Sequence, residues 1–102
     1  MLGFATRAGK VIFGTEQVIA QLRKKAELIK LVLTASDASE GTKKKIKTKC
    51  EFYSAALREI GISGSELGDL LGKSYAPAVV AITNDGFAKE ICAALDRLAQ
   101  NG

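Results

Sequence analysis

The chain has no histidine, no tryptophan, one proline and two cysteines in 102 residues. Each shortage excludes something. Without histidine the commonest general base and the commonest neutral metal ligand are both missing. Cys50 and Cys92 stand far apart in sequence and form no Cys-x-x-Cys pair, so a zinc site is not expected; both read as buried small hydrophobes. No apolar run approaches the roughly 18 residues of a membrane helix, and no basic start leads into an apolar leader, so a soluble, cytoplasmic protein is expected. There is no Gly-x-Gly-x-x-Gly after a strand and no Walker-type Gly-Lys-Ser/Thr; the glycines of 61–68 have the wrong spacing for either, which removes the usual support for a nucleotide-binding enzyme. No cofactor is called for.

What is present is ordinary globular composition, 47% apolar and 25% charged, in a length suited to one domain, residues 1–102. Charge is unevenly spread. Residues 1–50 carry 11 Lys or Arg against 4 Asp or Glu, and residues 51–102 carry 4 against 7, so a +7 half precedes a −3 half. Such asymmetry suits a polyanion partner if folding gathers the cations on one surface, although basic helix faces are also simply solvated.

Leu2, Ala5 and Ala8 at helical spacing before Gly9 predict a short first helix. Lys10 to Phe13 is β-prone but too short to define a strand by itself. Gly14 or Thr15 then opens a helix of about 15–25, with Val18, Ile19 and Leu22 as its apolar stripe and Thr15, Glu16 and Gln17 in its first turn. A helix mouth offers unpaired N–H groups and a positive dipole end, and Gln17 can both donate and accept, as a reader of base edges must; small and polar residues also begin most helices merely to satisfy their own backbone.

Leu28 to Ala35 predicts a central strand covered on both faces, and Ser36 to Gly41 a binding-type loop at its C-terminal end. A helix of about 42–54 follows, burying Ile46, Cys50 and Tyr53 and leaving Lys43, Lys44, Lys45, Lys47 and Lys49 mostly on the other side, where a solvated face accounts for them as well as a motif does. A second strand is expected over 55–60. Ser63 and Glu66 form a capping box for a short helix ended by Gly72. Lys73 to Pro77 reads as a loop, Ala78 to Ile82 as a buried strand, and Asn84-Asp85-Gly86 as the turn into a last helix striped by Phe87, Ile91, Ala94, Leu95 and Leu98. Helices alternating with short buried strands give the fold class: α/β, a three-layer α/β/α sandwich with a small mixed sheet.

Three segments in register carry a resemblance. They are Gly14-Thr15-Glu16-Gln17 at a helix start, Lys30 to Ser39 as strand and loop, and Leu67-Gly68-Asp69-Leu70-Leu71-Gly72 followed by Ala76-Pro77-Ala78-Val79-Val80-Ala81-Ile82. Their order and spacing resemble the L-seven-Ae and L-thirty-e ribosomal protein family, whose members bind kink-turn RNA. The opening Leu2 to Lys10 and the extension Gly86 to Leu95 resemble its bacterial ribosomal-like branch, the YlxQ type. The resemblance covers nearly the whole chain. It implies a non-enzymatic protein binding kink-turn structured RNA, ribosomal RNA among the candidates, as a monomer with possible ribosomal or other protein partners and no membrane.

By the same resemblance the RNA-binding residues are Lys10, Gly14, Thr15, Glu16, Gln17, Asp37, Lys73, Ser74, Tyr75, Ala76, Pro77 and Ala78. Gly14 admits close backbone approach, Gln17 stands at a base-contacting position, and Tyr75 to Ala78 line an apolar wall for flipped-out nucleotides. The chain departs from the family at two positions. Glu16 replaces Asn or Lys, and Ala20 stands where Lys is common; both changes remove favourable charge. A protein-interaction module of the same fold, with weak or no RNA binding, is the alternative.

Overall fold

Continuous burial along two short strands sets the architecture. In β2 (Leu31–Thr34) and β4 (Val79–Ile82) every residue is buried. Odd and even positions go to different cores because successive strand side chains point to opposite faces. Leu31, Leu33, Val80 and Ile82 join Leu67, Ala88, Ile91 and Leu95 on one face, while Val32, Val79 and Ala81 join Val18, Ile19, Leu22, Ile46 and Cys50 on the other. The sheet is therefore the middle of three layers, as expected. The computed structural model describes residues 11–70 and 76–101, so the first helix expected before Gly9 and the helix end expected at Gly72 lie outside the described residues.

The elements run β1 (Val11–Phe13), α1 (Thr15–Lys25), a 3₁₀ turn (Ala26–Leu28), β2, α2 (Glu40–Phe52), β3 (Leu57–Glu59), α3 (Gly64–Leu70), β4 and α4 (Asp85–Asn101). Sheet order is β1-β4-β2-β3. β4 pairs antiparallel with both β1 and β2, and β2 pairs parallel with β3. Helices α1 and α2 cover one face and α3 and α4 the other.

Several boundaries differ from the sequence reading, each for a backbone reason. The expected strand from Leu28 starts only at Leu31, because Ala26 to Leu28 wind into a 3₁₀ turn closed by Ile29 N–H on the Ala26 carbonyl at 3.0 Å. Leu28 is consequently 47% exposed instead of buried. Helix α2 begins at Glu40, two residues earlier than expected, because Ser39 caps it by accepting from Thr42 N–H at 3.2 Å. It ends at Phe52, where Ser54 turns into the left-handed region at φ 58°. β3 is shorter than 55–60, since Ala55 N–H still bonds back to the Cys50 carbonyl. Of the stretch left undecided by sequence, Val11 to Phe13 supply the edge strand β1. Cys50 is buried as expected; Cys92 is only half-buried on α4.

Register fixes what matters for function. Phe13 pairs with Val80, and Thr34 pairs with both Val79 and Glu59. β1, β2 and β3 thus all finish at one end of the sheet, so the helices that follow them, α1, α2 and α3, all begin there.

Candidate functional site

The four described α-helices, three of which begin at this end, differ in how their first turns are satisfied. Ser39 Oγ accepts from Thr42 N–H at the start of α2. Ser63 Oγ accepts from Glu66 N–H at 3.1 Å while Glu66 Oε1 accepts from Ser63 N–H at 3.0 Å, the reciprocal capping box expected for α3. Asn84 Oδ1 accepts from Phe87 N–H at 2.8 Å at the start of α4, on the opposite end of the sheet. Helix α1 has no such bond. Its N-cap is Gly14, which has no side chain to accept, at φ 100° and ψ 141°, a conformation that side chains rarely adopt. The first N–H groups of α1 therefore receive no side-chain cap from Gly14, the condition in which a helix mouth can take an anion.

Backbone bonds on both sides of β4 hold the surroundings of this mouth. Gly14 N–H donates to the Val79 carbonyl at 2.9 Å, and Ala35 N–H donates to the Ala78 carbonyl at 2.9 Å. The chain entering β4 is thereby set between the start of α1 and the loop after β2. Of its predicted apolar wall, Ala76 is exposed, Ala78 half-buried and Pro77 buried. Pro77 is fixed from below: a Cβ on Gly64 would come within 2.7 Å of the Pro77 carbonyl oxygen. Lys10, Lys73, Ser74 and Tyr75, also predicted, lie outside the described residues.

The remaining predicted residues fall into two groups. Thr15 is half-buried and Glu16 and Gln17 are exposed at the α1 mouth, beside Gly14. Asp37, in the loop after β2, directs Oδ1 to Gly64 N–H at 2.9 Å and so ties that loop to the start of α3. Its carboxylate thus holds the frame under Pro77.

The α2 lysines, readable from sequence as a motif or as a solvated face, reach the mouth at one point: Lys45, on the second turn of α2, places Nζ 2.9 Å from Glu16 Oε2. The pair bridges two helices that start side by side, so the lysine-bearing helix flanks the mouth. Twenty-nine positions separate the partners, and no local pattern signals their approach. Among the described residues no group of three or more His, Cys, Asp or Glu is placed to hold a metal ion.

Fold and site together define a class: a small α/β/α sandwich with an uncapped helix mouth beside a loop-entered central strand. The chain belongs to the ribosomal protein L7Ae/L30e/S12e/Gadd45 family, whose model matches residues 1–92. It is 41% identical over 96 residues to RNA-binding protein YlxQ of Bacillus subtilis strain 168, covering 94% of this chain and 92% of that one. It is also 34% identical over 83 residues to the large ribosomal subunit protein eL30 of Sulfolobus acidocaldarius, covering 81% of this chain and 78% of the other. A solved structure of a protein of unknown function from Bacillus halodurans C superposes with a TM-score of 0.76 at 33% identity, covering 93% of this chain and 92% of that chain.

Proposed function

We propose that the protein is a non-enzymatic RNA-binding module that recognises kinked RNA, including ribosomal RNA, with the α1 mouth and the chain entering β4 as its reading surface. The observation that carries this is the uncapped start of α1 at Gly14, flanked by exposed Glu16 and Gln17, where the other three α-helices have side-chain caps. The names of the YlxQ and eL30 relatives support the RNA class.

A sharply bent RNA exposes base edges and unstacked bases that an A-form duplex hides. A glycine-opened mouth lets backbone N–H groups and Gln17 approach those edges, while Ala76 and Ala78 offer a small apolar surface to a base face. In this reading Gly14, Thr15, Glu16, Gln17, Ala76, Pro77 and Ala78 form the site, with Asp37 holding its frame; Lys10, Lys73, Ser74 and Tyr75 are assigned to RNA binding by the family resemblance alone. Binding the bent form in preference to the extended one shifts the RNA equilibrium by the difference in affinity, and no chemical step is required.

The test is a gel shift with an RNA carrying sheared G·A pairs beside a bulge and a control in which those pairs are restored to Watson–Crick pairing. Selective retention of the kinked RNA is expected. Equal affinity for the two would overturn kink reading, and retention of neither would favour the protein-interaction alternative.

A further inference from the structure

We propose that Lys45, supplied by α2, is an RNA-contact residue of the α1 mouth that offsets Glu16 and extends the phosphate-binding surface onto α2. This rests on the RNA-binding reading above. Glu16 is unfavourable there by itself, because a carboxylate beside uncapped N–H groups repels the phosphate those groups attract. The Lys45–Glu16 contact of 2.9 Å places a cation on that carboxylate, and the two side chains are 49% and 76% exposed, so the pair faces solvent. An exposed pair of this kind contributes little to folding stability. An ammonium has three donors, and Glu16 engages one, leaving two for a phosphate oxygen at the same place.

The neighbours on α2 point the same way. Lys44 and Lys47 are exposed and Lys43 and Lys49 half-buried. The described ion pairs involve only Lys45–Glu16 and Arg58–Asp96, so these four lysines have no carboxylate partner among the described residues. The acids closest in sequence are Glu40, in the first turn of α2, and Glu51, near its end; Asp37, before the helix, has its Oδ1 already accepting from Gly64 N–H. Lys45 is the lysine whose position relative to the mouth is fixed by a contact.

The experiment measures affinity for the kinked RNA across a salt series for the wild type, Lys45→Ala, Lys24→Ala, Lys45→Glu and the exchange Glu16→Lys/Lys45→Glu. Lys24→Ala makes the same charge change in the last turn of α1, at the far end of that helix. Lys45→Ala should weaken binding about fivefold near 0.1 M salt and make the slope of log K against log salt shallower by about 0.7 to 0.9, the signature of one lost phosphate contact. Lys24→Ala should change neither. Lys45→Glu should weaken binding further, and the exchange should recover most of that loss because the local charge is restored. Thermal melts of all variants should coincide with wild type. Identical behaviour of Lys45→Ala and Lys24→Ala, or an exchange variant that binds no better than Lys45→Glu, would overturn the proposal. Failure of the wild type to bind the kinked RNA would remove the RNA-binding reading and this inference with it, and it is read on the wild type alone.

Discussion

Gly64 and Pro77 approach so closely that a Cβ on the glycine would lie 2.7 Å from the Pro77 carbonyl oxygen and 3.3 Å from the carbonyl carbons of Ala76 and Pro77. All three are backbone atoms, which cannot rotate away as a side chain can. Gly64 is also the residue whose N–H is held by Asp37. One small residue thus joins the loop after β2, the start of α3 and the chain entering β4.

Gly64→Ala is therefore expected to destabilise the fold by about 1 to 3 kcal/mol, the usual range for overpacking, and to displace residues 76–77. Affinity for kinked RNA should fall with it. Gly61→Ala is the control, since a Cβ there meets nothing within 4 Å. Urea denaturation of the two variants decides the matter: equal stability would show that Pro77 is not held from below.

Thr34 is buried to 1% exposure with no hydrogen-bond partner for Oγ1 among the described residues. Valine has nearly the same shape without the hydroxyl. Because an unsatisfied buried hydroxyl costs roughly 1 to 3 kcal/mol, Thr34→Val is expected to raise stability by about 1 kcal/mol or more in denaturant titration. A loss of stability would mean that the hydroxyl has a partner.

Burial pushes the Cys50 thiol from an ordinary 9.0 up to about 11. The protonated form is thus favoured in the folded state, and the unfolded chain loses this proton first as pH rises. The stabilising contribution is complete below about pH 9 and disappears between 9 and 11. Cys92 is half-buried on α4, whereas Cys50 is buried. In the native protein iodoacetamide should modify Cys92 ahead of Cys50, with Cys50 reacting mainly after denaturation; peptide mass mapping over time checks the order.

The sequence disclosed what is local. The Ser63–Glu66 capping box, the glycine start of α1 and the buried β2 and β4 runs all depend on spacings of a few residues, and all are present. Boundaries slipped where a bond reached outside the pattern, as when the 3₁₀ turn removed Leu28 from the strand. The mixed order β1-β4-β2-β3 is decided by long-range pairing, and with it the fact that α1, α2 and α3 start together. For that reason the lysines of α2 read as an ordinary solvated face, whereas Lys45 lies against Glu16. Asp37 was similarly legible as a loop residue of interest, but its bond to Gly64, 27 positions away, was not.

Gln17→Ala is expected to cost about 1 to 3 kcal/mol in binding kinked RNA, the worth of a good base-edge contact. That loss should exceed the effect of replacing any one of Lys43, Lys44 or Lys45, whose contributions are electrostatic and fade with salt. The comparison is best made at high salt, where phosphate terms are weak. A silent Gln17→Ala beside a lysine change that abolishes binding would put the site on the wrong helix.

Glu16 supplies the sharpest sign. Replacing it with lysine removes one repulsion at the α1 mouth and adds one attraction, so Glu16→Lys should tighten binding, with the salt dependence of log K steepening by about 0.7 to 0.9 for each added phosphate contact. Glu16→Gln should fall between wild type and Glu16→Lys. The ion pair with Lys45 moderates the effect without reversing it. Breaking an exposed pair loses at most about 1 kcal/mol, and the freed ammonium remains beside the mouth to meet the same phosphates. The opposite sign would follow if Glu16 accepted from guanine N–H groups, because both substitutions would then remove a charge-assisted hydrogen bond. Affinities of the three proteins for one kinked RNA at two salt concentrations separate the cases. Weakening in both variants would make Glu16 a base reader, and no change in either would mean that the α1 mouth does not touch RNA.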